Sequence, residues 1–304
     1  MVNWNSGLQL RLAVDSILSN ANQNGPANIF VIDNGSSDNS LNGLDPLRGL
    51  LVLRNGKNVG FAAACNQGAA LGSGEFVLFL NPDAAVFPNT IQQSVEFMRR
   101  PENADVGICG VQLVDATGVI QKSCARFPDA KMYLAQAFGF AGVFPSRFSQ
   151  LMMTFDHQET RDVDQVMGAY FLIRRSLFES LGGFDERFFV YFEELDLSLR
   201  AKRLGWRSVF LAQARAYHKG GGISDQVKAH RLFYSLRSRI LYAFKHFGCA
   251  EAWAVCFATL AIEPVPRLVR GFFRRSREEL VDTIRGFVML WRDVPSIFQR
   301  VRRR

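Results

Sequence analysis

Short apolar runs alternate with segments of helical periodicity along the first hundred residues. Three runs have the length and composition of buried strands, and polar turn residues follow each: 29–32, 50–53 and 76–80. Apolar positions spaced by three or four predict helices over 8–20, 66–71 and 90–100. Alternating strands and helices predict an α/β fold with a mostly parallel sheet flanked by helices.

The middle of the chain is less regular, and its end is almost entirely helical from residue 230. For the middle, the pattern predicts a hairpin over 111–123, strands over 166–173 and 208–212, and helices over 176–181 and 193–204. Pro264 and Pro266 are expected to break the last helical stretch. We therefore predict two regions, an α/β domain over 1–228 and a helical region over 229–304.

The net charge of +8 is concentrated at the carboxyl end of the 304-residue chain. Residues 264–304 contain eleven arginines and four acidic residues. A nucleic-acid-binding domain more often spreads its basic residues over the fold, so we expect no nucleic acid partner. Aromatic and aliphatic residues mixed with arginine over 268–275 and 284–292 are typical of helices that lie on anionic membranes. The alternative is a helical pair packed on the catalytic domain, with arginines facing solvent.

Cysteines and long apolar segments indicate neither a metal cluster nor a membrane span. The five cysteines are scattered without a C-x-x-C pair, which predicts small buried apolar side chains in a reducing compartment. No signal-peptide pattern opens the chain. The longest uncharged apolar stretch near the end covers 11 residues, 252–262, whereas a spanning helix needs about 20. We expect no transmembrane segment.

Polar side chains cluster where the predicted strands end, which is where α/β sheets bind ligands. These segments are 33–38, 81–83 and the loop at His218. Small residues over 58–68 would let a phosphate or sugar approach a helix start. Taken singly, each of the three strand-end segments is more simply explained as a surface turn. For 58–68 the alternative is tight packing of a helix on the sheet.

Three carboxylates, Glu193, Glu194 and Asp196, open a predicted helix after an aromatic run. One of them could serve as a general base. The structural alternative is complementation of the helix dipole together with an Asp196–Arg200 pair.

Two common nucleotide-binding classes are disfavoured. A dinucleotide-binding dehydrogenase needs G-x-G-x-x-G directly after a strand, but Gly72-Ser73-Gly74 precedes a strand and lacks the third glycine. A P-loop is absent because no Gly-Lys-Ser or Gly-Lys-Thr occurs.

Taken in order, six segments resemble family 2 glycosyltransferases with the GT-A fold. They are VNWNSG, VIDNGSSDNS, NVGFAAACNQG, FLNPDA, GGFDERFFVYFEELDLSLRAKRLGW and YHKGGGIS, within about residues 1–225. The chain most resembles the rhamnosyltransferase-like branch that builds bacterial surface polysaccharides. The region 1–228 would then be the nucleotide-sugar transferase domain, and 229–304 a basic amphipathic region that associates with membranes.

The resemblance implies a substrate-binding role for eight residues. They are Trp4, Asn5, Asp33, Asn58, Gly60, Asn66, Asn81 and Glu193. Asp33 would bind the nucleotide base or ribose, with Asn5 and Trp4 nearby. Asn58, Gly60 and Asn66 would line the nucleotide-sugar pocket.

The resemblance also implies a metal site and a base. Asp83 matches the last acid of the D-x-D metal motif, whose first acid is replaced by Asn81, and His218 matches a position that completes the site in some relatives. Mg²⁺ or Mn²⁺ is the implied ion. Glu194 would be the general base, one methylene longer than the family's aspartate, and Asp196 the alternative base.

The implied activity is inverting transfer of a sugar from a nucleotide diphosphate to a glycan or polyprenyl-diphosphate-linked acceptor. The branch suggests dTDP-rhamnose; UDP-galactofuranose, UDP-hexoses and GDP-sugars stay open. The enzyme would lie at the inner face of the bacterial cytoplasmic membrane. The alternative is a catalytically degenerate, membrane-docked scaffold or nucleotide-sugar binder, because Asn81 and Glu194 depart from the family pattern.

Overall fold

The computed structural model describes residues 1–24, 28–44, 47, 49–220 and 227–302. By its contacts the chain forms two compact units. The first comprises Met1–Arg126, Phe155–Glu186 and Glu193–Ile223, and the second Phe127–Thr154, Arg187–Phe192 and Ser224–Arg304. The segments 127–154 and 187–192, which we had placed with the first region, thus belong to the second unit. As functional domains, 1–228 and 229–304 stay a prediction.

The strands lie in the first unit. They are β1 (Val2–Asn3), β2 (Ile29–Asp33), β3 (Leu50–Arg54), β4 (Phe76–Leu80), β5 (Ala84–Val86), β6 (Val106–Val114), β7 (Cys124–Ala125), β8 (Arg161–Val163), β9 (Gln165–Val166), β10 (Tyr170–Arg174) and β11 (Arg207–His218).

Helices occur in both units. They are α1 (Leu8–Asn24), α2 (Phe61–Ala70), α3 (Thr90–Arg99), α4 (Ala130–Ala137), α5 (Pro145–Phe148), α6 (Arg175–Ser180), α7 (Glu193–Arg203), α8 (Lys228–His246), α9 (Cys249–Phe257), α10 (Pro264–Phe273) and α11 (Arg277–Arg302).

The predicted α/β architecture is confirmed, with one parallel sheet, one mixed sheet and a two-stranded antiparallel sheet of β7 and β9 in the described residues. Strands β1, β2 and β3 pair in parallel. The second sheet has the order β4-β10-β6-β11-β5, with β8 also paired to β11. Only β6 and β11 run parallel there, and the other pairs are antiparallel. The sequence did not predict the antiparallel strands, because a buried strand is apolar on both faces whatever its direction.

Several element boundaries differ from their predictions. Helix α2 begins at Phe61 rather than 66, after the turn at Gly60, whose φ of 96° suits glycine. The hairpin over 111–123 is reduced to one bridge between Val114 and Ile120. The strand over 166–173 is interrupted between β9 and β10, and that break brings Gly168 to the candidate site described below. All five cysteines are free, and only Cys249 is exposed.

The second unit is built around α8, which packs against α11. An ideal Cβ on Gly286 of α11 would lie 2.9 Å from Leu232 Cδ2 and 3.1 Å from the Ala229 carbonyl oxygen, so glycine permits the close approach of the two helices. Phe287, Leu290 and Ile297 of α11 are buried. These contacts show that α11 packs on α8 within the second unit; whether the helices pack on the catalytic domain stays a prediction.

The helical path continues from α9 into α10, so the break predicted at the prolines is wrong. Residues Ala258–Ile262 form a π-helical turn, and Pro264 takes the first position of α10, where a missing N–H costs least. Proline at 264 cannot donate to the carbonyl of Leu260. Trp291 Nε1 of α11 donates to that carbonyl instead, at 3.0 Å. A side chain from a neighbouring helix therefore replaces the missing backbone bond.

By length and composition alone, the run Cys249–Phe273 is sufficient to cross a membrane, and the expectation of no transmembrane segment stays a prediction. This is weak evidence, because core helices pass the same test of length and composition. Glu263 lies inside the run, is 2% exposed, and pairs with Arg239 of α8 and with Arg267. A buried ion pair with a helix of the same unit is typical of packing within a protein core.

Glu263 is expected to be the main electrostatic contributor to the stability of the second unit. Burial opposes its charge, but Arg239 and Arg267 outweigh that effect and hold the pKa of Glu263 below its ordinary value. Removing one partner of a buried pair costs about 3–5 kcal/mol. We expect Glu263→Gln to lower the free energy of unfolding by about 3 kcal/mol, measured by urea denaturation at pH 7.

Glu279→Gln is the matched control, because Glu279 pairs with Arg270 at a more exposed site. Since the pKa of Glu263 is depressed, its contribution is present above the ordinary glutamate pKa and is lost as the pH falls through the folded value. The difference between wild type and Glu263→Gln should therefore shrink in acid. Equal effects of the two substitutions at pH 7 would contradict the prediction.

Candidate active site

Asp33, at the carboxyl end of β2, is held by a polar network. Its carboxylate is buried and accepts a hydrogen bond from Asn3 Nδ2 at 2.8 Å. Asn3 Nδ2 also contacts the hydroxyls of Ser36 and Ser40. Asn5 caps the same turn, since its Oδ1 accepts from Ser37 N at 2.8 Å. The structure therefore brings Asn5 and Asp33 together through this turn, as the resemblance implied. Trp4, the residue before Asn5, is half-buried.

The turn before α2 is tied to the residue after Asp33. Asn34 Nδ2 donates to the Gly60 carbonyl at 3.1 Å, and Asn58 Oδ1 accepts from Gly60 N at 2.9 Å. Asn55 Nδ2 in turn donates to Asn34 Oδ1 at 3.0 Å. Asn58 and Gly60 thus lie beside the end of β2, where their predicted role in the nucleotide-sugar pocket requires them.

Asn66 holds the loop that precedes α7. Its Nδ2 donates to the Phe184 carbonyl at 2.9 Å and to Glu186 Oε1 at 3.0 Å, and its Oδ1 accepts from Phe184 N. Both amide hydrogens are therefore used inside the protein. These contacts favour a positioning role for Asn66 over the predicted contact with the sugar donor.

Asp83 and His218 face each other at the edge of the mixed sheet. β5 and β11 pair His218 with Ala84, the residue after Asp83, and Lys219 N donates to the Asp83 carbonyl at 3.0 Å. Asp83 Oδ1 lies 3.6 Å from His218 Nε2, too far for a hydrogen bond. Part of the predicted glycine run after His218, residues 221–222, lies outside the described residues.

Gln121 fixes the ring of His218. Its Oε1 lies 3.0 Å from His218 Nδ1, and its Nε2 donates to the His218 carbonyl at 2.8 Å. A hydrogen on Nδ1 satisfies Oε1 and leaves the Nε2 lone pair toward Asp83. Burial lowers the pKa of His218, partly offset by Asp83. A neutral imidazole and a carboxylate pointed at one space fit a divalent cation.

Within the described residues, no group of three or more His, Cys, Asp or Glu side chains could hold a metal ion. Asp83 and His218 would therefore be two protein ligands only. Mg²⁺ is commonly held by one or two carboxylates together with substrate phosphates, and Asp83 is a carboxylate of this kind. Asn81, in place of the first acid of the motif, is half-buried.

Glu194, in the first turn of α7, lies against the backbone of Gly168. An ideal Cβ on Gly168 would overlap Glu194 Oε1 and lie 2.8 Å from its Cδ, so only glycine leaves room for the carboxylate. Burial raises the pKa of Glu194, and its own N–H offsets part of the effect. A carboxylate with a raised pKa is well suited to accept a proton near neutral pH.

The backbone beside Gly168 also binds the metal-motif loop. Asn81 N donates to the Ala169 carbonyl at 3.1 Å, and β4 and β10 pair Leu80 with Tyr170. The loop of Asp83 and the strand end that contacts Glu194 therefore meet at one edge of the sheet. All of these residues belong to the first unit.

Residues 1–196 match the family model described as glycosyl transferase family 2. The chain belongs to glycosyl transferase family 2. It is a glycosyltransferase with the GT-A fold, as its sequence motifs indicated.

Among this family, the chain resembles the N-acetylglucosaminyl-diphospho-decaprenol L-rhamnosyltransferase of Mycobacterium tuberculosis. The two are 28% identical over 282 residues, which cover 86% of this chain and 89% of that protein. The O-antigen biosynthesis protein RfbC of Myxococcus xanthus is 36% identical over 162 residues, which cover 52% of this chain and 12% of that protein.

Among solved structures, the mannosyltransferase PcManGT of Pyrobaculum calidifontis, in complex with GDP-Man and Mn²⁺, superposes with a TM-score of 0.54. It is 17% identical, and the match covers 96% of this chain and 86% of that one. At this identity the likeness shows the fold alone.

Asp196, the alternative base implied by the resemblance, is engaged in an ion pair. It is fully buried, and Arg200 Nε contacts its carboxylate at 2.7 Å. The same guanidinium donates to the carbonyls of Leu181 and Gly183. The ion pair that the sequence offered as the structural alternative is thus observed, and it anchors α7 to the preceding loop. Glu193 is also buried, at 2% exposure.

The backbone immediately before Glu193 is strained. Tyr191 and Phe192, in the second unit, have φ values of 67° and 76°, in the left-handed region that favours glycine. The Phe192 ring packs against Tyr133 and Tyr242, with centroids 6.3 and 5.7 Å away. Strain of this kind is frequent next to functional residues.

Three residues of the site escaped prediction from the sequence. Asn3 could have been found from the N-W-N pattern, but Gln121 and Gly168 carried no local signal. Gln121 lies 97 residues from His218. From the sequence alone, Gly168 is predicted to be part of a strand, and only the structure shows that Glu194 lies against it.

Proposed function

We propose that this glycosyltransferase moves a sugar, with rhamnose from dTDP-rhamnose as the leading donor, to a lipid-linked or polysaccharide acceptor of the cell surface. The observation that carries the proposal is the meeting of Glu194, Gly168 and the Asp83 loop at one sheet edge. The resemblance to a rhamnosyltransferase whose name includes a decaprenol-linked substrate supports the donor and acceptor.

The reaction is a single displacement with inversion at the sugar. Glu194 accepts the proton of the acceptor hydroxyl, and the acceptor oxygen forms the new bond to C1 as the bond from C1 to the nucleoside diphosphate breaks. Gly168 leaves space for the carboxylate, while Arg200 and Asp196 hold α7 in place. Asp33, Asn5 and Trp4 bind the nucleoside, and Asn58 and Gly60 border the donor.

Asp83 and His218 are the proposed ligands of Mg²⁺ or Mn²⁺. When bound, the cation would neutralise negative charge that develops on the departing diphosphate. The Mn²⁺ in the PcManGT complex supports a divalent ion. Asn81 and Glu193 are proposed to border the same pocket.

A peripheral position at the inner face of the cytoplasmic membrane fits a lipid-linked acceptor and the basic carboxyl end. The second candidate is a nucleotide-sugar binder without turnover, favoured by Asn81 and Glu194 in place of the family's aspartates. Donor binding that is unaffected by Glu194→Gln, with no transfer by wild type, would favour this alternative.

A donor screen tests the proposal. Thermal unfolding is measured with dTDP-rhamnose, UDP-galactofuranose, UDP-galactose, UDP-N-acetylglucosamine, GDP-mannose and NADH, each with and without Mn²⁺. Because a ligand that binds only the folded state raises its stability, one nucleotide sugar should raise the unfolding temperature in the presence of metal. Stabilisation by none of them would reject donor binding.

Gln121 gives a sharper test of the metal ligands. We expect Gln121→Leu to weaken Mn²⁺ binding by about 10–100-fold, because the residue that orients a metal-bound histidine is lost. Electron paramagnetic resonance of free Mn²⁺ in the presence of dTDP measures the affinity without turnover. Gln121→Glu, which keeps an acceptor for Nδ1, should retain more affinity than Gln121→Leu.

Gln213→Leu is the matched control for this experiment. Gln213 lies in the same unit as Gln121. Its side chain is exposed and accepts a hydrogen bond from the Thr160 hydroxyl. Unchanged Mn²⁺ affinity in Gln121→Leu would remove His218 from the proposed ligands.

A further inference from the structure

Residues 138–144 of the second unit expose an unusual amount of apolar surface. Phe138, Phe140, Val143 and Phe144 are each 51–68% exposed. Between Asp129 and Asp156 the chain contains no acidic residue and two basic ones. Adjacent exposed aromatic side chains of this kind mark an interaction surface more often than ordinary solvent-facing surface.

Helix α10 exposes a second apolar strip. Val265, Val269 and Phe272 follow one another at spacings of four and three, so they share one face of the helix. Phe272 and Phe273 are 70% and 79% exposed. Five arginines and no acidic residue lie between Glu263 and Glu278. Three of the five are paired, Arg267 with Glu263 and both Arg270 and Arg274 with Glu279.

The two segments meet at Gly139. An ideal Cβ on Gly139 would lie 3.2 Å from Cβ of Pro266, in the first turn of α10, and the φ of Gly139 is +83°. Along the chain, Phe138 and Phe140 are the neighbours of Gly139, and Val265 is the neighbour of Pro266. Residues 138–144 and 265–273 thus border one another, and together they are named the aromatic face.

We propose that the aromatic face lies on an anionic phospholipid bilayer, with its rings at headgroup depth and Arg275 and Arg277, which are exposed just after α10, against lipid phosphates. Aromatic side chains beside arginine are the combination that interfacial helices use, and positive charge complements an anionic leaflet. A second copy of this face would carry the same charge and repel it.

This inference deepens the proposed function and rests on its membrane-bound acceptor. It differs from the sequence prediction, which placed all membrane contact in the carboxyl-terminal region. Here a segment about 120 residues before α10 contributes aromatic rings to the surface as well.

Vesicle flotation of the full chain tests the proposal. The vesicles contain phosphatidylcholine alone or with about 30% phosphatidylglycerol. Wild type should float with the anionic vesicles, and less so at high salt. Phe140→Ser/Phe144→Ser and Phe272→Ser/Phe273→Ser should each lower the bound-to-free ratio by at least about tenfold. The double variant Leu12→Ser/Val119→Ser is the control, since both side chains are exposed in the first unit.

Three outcomes would overturn the proposal. Wild type could fail to bind either vesicle. Phe140→Ser/Phe144→Ser could float like wild type, which would exclude residues 138–144. Light scattering could instead show a dimer that the same substitutions dissociate, which would make a second copy the occupant.

Failure of the proposed function is distinguishable from failure of this inference. The donor-induced rise in unfolding temperature is measured on the same variants without vesicles. Folded variants with intact donor stabilisation but lost flotation support the aromatic face. Absent donor stabilisation in wild type rejects the transferase proposal whatever the vesicles show.

Discussion

Replacing Glu194 with glutamine is expected to lower kcat by about 10²–10⁴-fold, the usual contribution of a general base. Glutamine keeps the shape that fits against Gly168 but cannot accept the proton. Donor affinity should change little, because the base acts mainly in the transition state. Steady-state transfer kinetics, with donor binding measured separately, separates the two effects.

The pH profile gives a second readout of the same substitution. The base must be ionised to act, and burial raises the pKa of Glu194. Wild-type kcat/KM should therefore fall as the pH drops through this raised pKa, and Glu194→Gln should lose that acidic limb. Glu179→Gln, on an exposed carboxylate of α6, is the control. A Glu194→Gln enzyme with more than about a tenth of wild-type kcat would exclude Glu194 as the base.

Replacing Asp83 with asparagine is expected to lower kcat/KM by about 10³-fold, equivalent to several kcal/mol. The substitution removes the negative charge from the proposed cation site and leaves His218 as the remaining described ligand. Mn²⁺ affinity in the presence of dTDP should fall more than in Gln121→Leu, because a ligand is lost rather than its support. Calorimetric titration with Mn²⁺ measures the affinities of the two variants and shows which of them is lower.

Asp115→Asn is the matched control for Asp83. Asp115 is a turn carboxylate of the same unit that accepts hydrogen bonds from Thr117. If Asp83→Asn keeps wild-type Mn²⁺ dependence of transfer, Asp83 is not a metal ligand.

The ends of the strands could be predicted from the sequence because their signals are local. The apolar run of β2 stops at Asp33 and that of β4 stops at Asn81, so polar groups follow buried strands in both places. The helix that begins at Glu193 was also evident, since carboxylates favour a helix start. These elements supplied most of the residues that now form the candidate site.

The contacts between distant segments could not be predicted in this way. Insertion of β10 between β4 and β6 has no signature in the apolar pattern, yet it brings Gly168 to Glu194. The prolines of α10 indicated a break because proline cannot donate a backbone hydrogen bond. The replacement donor to the Leu260 carbonyl, Trp291, lies 31 residues away and could not be foreseen from the local sequence. Long-range pairing of this kind depends on three-dimensional arrangement rather than on local propensity.

The left-handed backbone at Tyr191 and Phe192 has a consequence for engineering this enzyme. Glycine tolerates such angles without strain, whereas each aromatic residue there costs on the order of 1–3 kcal/mol that its ring contacts must offset. At position 192 a glycine would relieve that cost but lose the packing of the ring against Tyr133 and Tyr242, and truncating a packed phenylalanine costs about 3–5 kcal/mol. Directed evolution for heat tolerance would therefore retain phenylalanine at 192, and the left-handed backbone angle would persist in thermostable descendants of this enzyme.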